Sequence, residues 1–317
     1  MFVLVAQFCL GFYLLFQGGS WLIAGASGIG KRLRLSDMVL GLTLIAFGTS
    51  APELVVSIVG NYSGEPEIVF GNIIGSNIAN TFLILGLTGL IYPIRIKTGL
   101  ISKKTLFNLF STILVFFLVI FPRVTPLRLE RLDGLLLLLT FFLFLYLLFF
   151  KFSESSQDND LLSKHPYSLS KDIVFFSLGC GLLPIGGYWV IDSAVSLATQ
   201  LNLSEALISV LGVAFGTSLP ELVTSIIAAR KKQSDLVIGN IIGSNIFNLL
   251  LILGATSLLR PLIYDSIFNH DFFYLCLSIV VLAIGVCVMR LAILSRFKSF
   301  LFFILYLGYV VLVLFRG

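Results

Sequence analysis

Apolar runs, each about long enough to cross a hydrocarbon core, follow one another along the whole chain. Polar breaks divide them into ten candidate spans: roughly 2–25, 37–60, 67–91, 104–121, 132–151, 172–199, 205–229, 235–259, 271–290 and 298–315. Runs such as "LLLLLTFFLFLYLLFF" (135–150) lack the polar alternation of a membrane β-strand, so the spans are expected to be helices. The first run has no basic segment ahead of it and is expected to be a span rather than a cleaved signal. The longest polar stretch, 151–171, divides the chain near its middle and is too short to fold alone. The pattern predicts an all-α integral membrane protein of ten transmembrane helices.

Composition sharpens this. The 317 residues are 58% hydrophobic, 13% aromatic and only 12% charged, against roughly 25% charged in a soluble domain. The net charge of +5 comes from short basic clusters between spans, which set topology and do not suggest nucleic acid. Sixteen of the 21 Lys and Arg follow odd-numbered spans, for example Lys31, Arg32 and Arg34, or Arg230, Lys231 and Lys232. The positive-inside rule then makes those loops and the 151–171 linker cytoplasmic, with both termini extracytoplasmic. Cys9, Cys180, Cys276 and Cys287 all fall in apolar runs without metal-ligand spacing, and are expected to behave as small buried hydrophobes.

The chain repeats itself at an offset of 168 residues. "GTSAPEL" (48–54) matches "GTSLPEL" (216–222), and "GNIIGSNIAN" (71–80) matches "GNIIGSNIFN" (239–248). Gly18 and Trp21 match Gly186 and Trp189, and Pro93 matches Pro261, with no gap between 18 and 93. The expected division is a first repeat (1–150, motif 44–80), the linker (151–171) and a second repeat (172–317, motif 212–248). Five spans per repeat is an odd number, so the second enters the membrane from the opposite side. Such inverted-topology repeats are common in secondary transporters, whose sites lie near the midplane where interrupted helices meet.

The interrupted spans are the second and seventh. Among the acidic residues only Glu53 and Glu221 lie deep in a span, where a charge costs at least about 2.5–3.5 kcal/mol. No Lys or Arg lies deep in any span, which leaves protons or metal cations to neutralise them. Asp37, Glu205, Asp235 and Asp271 look like helix starts, and Asp192 like an anchor near a span end. Pro52 has no N–H, so the Gly48 carbonyl loses its helical partner and the Thr49 carbonyl is loosened; Pro220 does the same to Gly216 and Thr217. Freed carbonyls in hydrocarbon are costly unless something binds them, and a cation can. Thr49 and Ser50 add hydroxyls beside Glu53. Ser76 with Asn80, and Ser244 with Asn248, are spaced i, i+4 and share a helix face. This all-oxygen set suits Ca²⁺ or Na⁺, with Mg²⁺ possible, whereas zinc or copper would want His or Cys. The only histidines, His165 and His270, lie in or beside loops. Gly71 with Gly75 and Gly239 with Gly243 are GxxxG pairs, expected to press the third span on the second. Gly18–Gly19 and Gly186–Gly187 could let the first and sixth spans slide over the core.

At these residues the chain resembles the cation/calcium exchanger superfamily, most closely its prokaryotic sodium/calcium exchanger-like members. The two "GTS-x-PEL … GNIIGSNI-x-N" blocks are similar to that family's paired alpha repeats, and the likeness covers both halves. It implies alternating access, with the first and sixth helices moving as a gate over an eight-helix core. It implies that Glu53 and Glu221, with the Thr49 and Thr217 carbonyls, bind calcium and share sodium. Ser50, Ser76, Ser218 and Ser244, with the Ala46 and Ala214 carbonyls, would complete sodium sites, and Asn80 and Asn248 would line the centre. Some relatives carry Asp at the place of Asn248, including the potassium-dependent branch, so Asn argues against potassium. The expectation is a Na⁺/Ca²⁺ antiporter of a prokaryotic cell membrane, not an enzyme, with no resident cofactor, the lipid bilayer around it and no protein partner inferable from the sequence. H⁺/Ca²⁺ exchange and a cation channel stand as alternatives.

Overall fold

A computed structural model of the chain describes residues 2–96, 98–120, 127–150, 168–200, 216–288 and 293–316. Nearly all of these are helical, as a backbone crossing hydrocarbon must satisfy its own N–H and C=O groups. In chain order the helices are α1 (Phe2–Arg32), α2 (Asp37–Thr49), α3 (Ala51–Ser63), α4 (Pro66–Ile91), α5 (Thr98–Ile120), α6 (Arg131–Phe150), α7 (Leu169–Gln200), α8 (Leu219–Arg230), α9 (Ser234–Leu259), α10 (Ser266–Cys287) and α11 (Arg296–Arg316). Eight of them are long and apolar enough to cross a membrane, or nine with α2 and α3 as one span bent by 46°. The helix α8 belongs to the expected seventh span, whose earlier part, with Glu205 and Ala214, lies outside the described residues, as does 151–167 of the linker.

Helix ends differ from the apolar runs in an understandable way. Helix α1 continues past the expected 25 to Arg32, because Lys31 and Arg32 suit the negative end of a helix dipole. Helix α5 begins at Thr98 rather than 104 and takes in Lys104, which is fully buried. Asp37 opens α2 behind the Ser36 cap, Asp235 sits in the first turn of α9, and Asp271 near the start of α10. Gly64 ends α3 with φ of +83°, a left-handed cap that favours glycine.

Helices α1 and α7 lie antiparallel along each other: Gly11 faces Gly186 and Gly25 faces Phe176. A Cβ on Gly25 would stand 2.4 Å from the Phe176 nitrogen, so the two backbones are in direct contact there. Gly18 and Gly186 join this α1–α7 seam, whereas Gly19 looks across at Ile227 of α8. Asp192 near the end of α7 accepts a hydrogen bond from Gln7 at 2.9 Å, which anchors it to α1.

The innermost helices are α4 and α9, with 83% and 94% of their apolar windows buried against 22% for α1. Their glycines do not do what the sequence led us to expect. Gly239 and Gly243 press α9 onto α2, the second span of the other half, with a Gly239 Cβ position 2.6 Å from the Met38 oxygen. Gly71, by contrast, has Phe268 as its nearest neighbour, at 3.7 Å, so α4 meets α3 through other residues. The GxxxG seam therefore runs between repeats, because glycine spacing says that a close approach exists but not to which helix.

Two short antiparallel ladders also tie the halves together. Strand β1 (Ile94–Arg95) pairs with β4 (Ile293–Leu294), and β2 (Arg128–Leu129) pairs with β3 (Leu262–Ile263). Each ladder joins two loops that the span count puts on the same side of the membrane.

Candidate cation site

The break between α2 and α3 falls at Ser50, with φ −87° and ψ 9°. Pro52 then sits in the first turn of α3, where no N–H is needed, and Glu53 follows it. The second half repeats this: Ser218 has φ −85° and ψ −1°, Pro220 lies in the first turn of α8, and Glu221 follows. Both glutamates are fully buried. Each thus projects from the start of a helix, beside a turn in which the proline offers no N–H to the carbonyl four residues earlier, Gly48 or Gly216.

The two turns meet face to face, and each is held by the helix of the opposite repeat. Ser50 Oγ donates to Glu221 Oε1 at 3.0 Å, and Ser244 Oγ reaches the same oxygen at 3.5 Å. Thr49 Oγ1 donates to Asn240 Oδ1 at 3.2 Å and lies 3.4 Å from Ser244 Oγ. Thr217 Oγ1 does the same in the other half, donating to Asn72 Oδ1 at 3.1 Å and lying 3.2 Å from Ser76 Oγ. The Glu53 carboxylate lies close to Thr217, Ser76 and Glu221. Yet neither Glu53 oxygen has a hydrogen-bond partner, and Glu221 Oε2 and Ser218 Oγ have none either. Among the described residues no Lys or Arg pairs with either glutamate. The Ala46 carbonyl accepts from Ser50 N at 2.9 Å and Thr49 Oγ1 at 3.3 Å. Ala214 lies outside the described residues.

Asn80 and Asn248 belong to a belt of four amides between α4 and α9. Asn80 Nδ2 donates to Asn245 Oδ1 at 3.1 Å, and Asn248 Nδ2 to Asn77 Oδ1 at 3.4 Å. The side-chain oxygens of Asn80 and Asn248 are buried without partners. Both residues sit in π-helical turns, Ala79–Ile84 and Phe247–Ile252, one repeat offset apart. Such turns widen a helix by one residue and are frequent at functional sites.

Sequence reasoning missed Asn72, Asn240, Asn77, Asn245 and Thr81. Asn72, Ser76 and Asn80 form one i, i+4, i+8 stripe, and their counterparts recur at 240, 244 and 248, so the signal was present. Asn72 also donates to the Glu53 carbonyl and to Ser57 Oγ, both at 3.1 Å, and Asn240 donates to Ser225 Oγ at 3.3 Å. These amides fix the threonines and the start of the glutamate-bearing helix. Thr81 accepts from Asn245 Nδ2 at 3.1 Å; its counterpart is Leu249, and Asn77 Nδ2 accordingly lacks a partner.

A cavity of about 520 Å³ reaches this site between α3, α4 and α7, lined by Val56, Glu67, Asn72, Tyr188 and Thr217 among others. One repeat offset away the corresponding space is filled. A Cβ on Gly19 would stand 2.9 Å from Ile227 Cδ1, and one on Gly48 would stand 2.8 Å from Leu22 Cδ1.

The chain matches the sodium/calcium exchanger protein family over residues 3–150 and 171–315. It is 35% identical over 272 residues to the putative antiporter CaxA of Alkalimonas amylolytica, covering 84% of this chain and 82% of that protein. It is 32% identical over 292 residues to the sodium/calcium exchanger MaX1 of Methanosarcina acetivorans, covering 80% and 82%. Its fold matches the sodium-calcium exchanger NCX_Mj soaked with zero Na⁺ and Ca²⁺, with a TM-score of 0.81, 30% identity and coverage of 99% and 100%.

Proposed function

This chain belongs to the sodium/calcium exchanger family and is a membrane-spanning cation/calcium antiporter, and from that premise we propose that it exchanges Na⁺ for Ca²⁺ by alternating access around Glu53 and Glu221. The observation that carries the reading is a pair of fully buried carboxylates, one with both oxygens unpaired, inside an oxygen-only shell built twice. An uncompensated buried charge costs several kcal/mol. A bound cation removes that cost, and Ca²⁺ takes six to eight oxygens in flexible geometry.

The ligands are the carboxylates of Glu53 and Glu221 with the Thr49 and Thr217 carbonyls for calcium. Sodium shares these and adds Ser50, Ser76, Ser218, Ser244 and the Ala46 and Ala214 carbonyls. Asn80 and Asn248 turn their free oxygens to the centre. Two carboxylates balance one Ca²⁺, so calcium and sodium compete for the same charge. Only a neutralised site switches sides, because an empty one would carry two charges through occlusion.

The architecture for switching is ten spans as two inverted repeats of five, 1–150 and 172–317, joined by the linker 151–171. The basic residues put the linker in the cytoplasm and both termini outside. The open cavity beside Glu67 then faces out, and its filled counterpart at Leu22 and Ile227 faces in. Exchanging these two states needs α1 and α7, held together by their glycine seam, to shift as one body past α3 and α8.

The test is calcium uptake into sodium-loaded proteoliposomes diluted into medium with and without sodium. Uptake is expected only with an outward sodium gradient, and is expected to vanish in Glu53→Gln and Glu221→Gln proteins that stay monodisperse. Uptake driven by a pH gradient without sodium would replace sodium by protons, and single-channel currents would replace exchange by conduction.

A further inference from the structure

A second cavity, of about 270 Å³, lies beneath the β1–β4 ladder and shares no lining residue with the first. It is enclosed by α4, α5, α9, α10 and α11. Ile96, Ile238, Val286 and Leu294 represent its apolar wall, and Thr105 and Lys298 are its polar lining residues. The ion-exchange reading makes no use of it.

The fold does not require this space. One repeat offset from Ile96 and Ile238 stand Tyr264 and Phe70, whose rings meet edge to face at 5.1 Å. Phe268 and Phe272 close the same cluster, at 6.4 and 6.2 Å from the Tyr264 ring. Gly285 stands on the cavity wall. Gly285 and Val286 also lie in a π-helical turn, Ile284–Val288. One end of the molecule is filled with aromatic rings, and the other is left open by small and aliphatic residues.

An unfilled apolar cavity forfeits dispersion contacts and does not hold water. The bilayer offers one filler at high concentration, an acyl chain. The mouth selects the head group. Arg95 in β1 and Arg296 and Lys298 at the start of α11 stand at this end. Among the described residues Lys298 Nζ donates to the Ile293 carbonyl alone, at 3.4 Å, and none of the three pairs with a carboxylate. At the opposite end Arg128 is already paired with Glu130, at 2.6 Å.

We propose that this cavity binds one acyl chain of an anionic phospholipid, with the lipid phosphate held by Lys298, Arg296 and Arg95. Basic pockets between transmembrane helices are suited to such head groups. The orientation reading makes it a lipid of the cytoplasmic leaflet; the binding itself does not depend on sidedness or on sodium coupling. The chain would lie on Ile238 and Ile241 of α9, the helix that also carries Asn240, Ser244 and Asn248.

Native mass spectrometry of the detergent-purified protein, titrated with dioleoyl phosphatidylglycerol, dioleoyl phosphatidylcholine or oleate, tests this. One phosphatidylglycerol is expected to be retained at concentrations where phosphatidylcholine is not. Lys298→Gln is expected to weaken it about fivefold, the scale of one basic residue near an anionic head group. The double substitution Ile96→Tyr with Ile238→Phe, which copies the filled end, is expected to abolish retention. Lys298→Gln, with its polar end at the surface, keeps the test decisive if the repacked protein does not fold. Equal retention of both phospholipids by wild type and Lys298→Gln would mean annular lipid only and overturn the proposal. Displacement of phosphatidylglycerol by an equal concentration of oleate would overturn the assignment to a phospholipid. The readout is bound mass, so failure here leaves the exchange reading untouched, and failure of exchange leaves this one untouched.

Discussion

Ser50 donates a hydrogen bond to Glu221 at 3.0 Å, while Ser218, its counterpart in the other repeat, makes none to Glu53. A site assembled from two matching motifs is thus unequal in this conformation: the serine of one turn bonds the opposite carboxylate, and the serine of the other turn does not. The inequality accompanies the open cavity on one side of the site and the filled space on the other. An inverted repeat alternates by exchanging such roles between its halves.

The inequality should show in stability. Ser50→Ala removes a bonded donor from a buried carboxylate and is expected to cost about 1–2 kcal/mol in ion-free protein. Ser218→Ala removes a hydroxyl with no partner and is expected to cost markedly less. Thermal unfolding of both variants in the same detergent measures this; equal losses would mean that the two serines are equivalent.

Asn240→Leu is expected to reduce exchange more than tenfold although Asn240 is not itself among the proposed ion ligands. It strands the fully buried Ser225 hydroxyl, at about 1–3 kcal/mol for an unsatisfied group, and takes from Thr49 its amide acceptor on α9, leaving that hydroxyl to the Ala46 carbonyl. Calcium uptake against sodium concentration separates this from simple loss of protein: a positioning role raises the half-saturating sodium concentration in the folded fraction, whereas misfolding lowers only the maximal rate.

Cross-links distinguish what moves together from what slides. In a protein without its four native cysteines, the pair Gly18→Cys and Leu182→Cys bridges α1 and α7 across a Cβ separation of 3.0 Å. Its oxidation is expected to leave exchange intact. The pair Gly19→Cys and Thr224→Cys ties α1 to α8, and its oxidation is expected to stop exchange until reductant is added. Undiminished exchange with the second bridge closed would rule out sliding of α1 over α8.

Sidedness can be read directly. In the same cysteine-free protein, Lys231→Cys is expected to react with a membrane-impermeant maleimide only after the membrane is opened. Ser63→Cys, just before the Gly64 cap, is expected to react in intact cells. The reverse pattern would invert the orientation and place the open cavity on the cytoplasmic side.

Much of this protein was written along the chain. The apolar runs required helices, since lipid offers the backbone no partners. The 168-residue offset exposed the repeat, and Glu53 and Glu221 declared themselves by their depth in apolar sequence. The prolines foretold the break at Ser50 and the helix start after Ser218, because a missing N–H is a local fact. Other features depend on which helix lies opposite, and a local pattern does not carry that. Thr49 with Asn240, Thr217 with Asn72 and Asn245 with Thr81 are partners more than 140 residues apart in the chain. The glycines of α9 announced a close approach, but only the packed structure chose α2 over the neighbouring helix. The π turns at Asn80 and Asn248, the cavity open on one side and the apolar cavity beside Ile96 and Ile238 belong to the same class. Two nearly identical motifs cannot say from sequence which of them is engaged; the packing around them decides that, one side at a time.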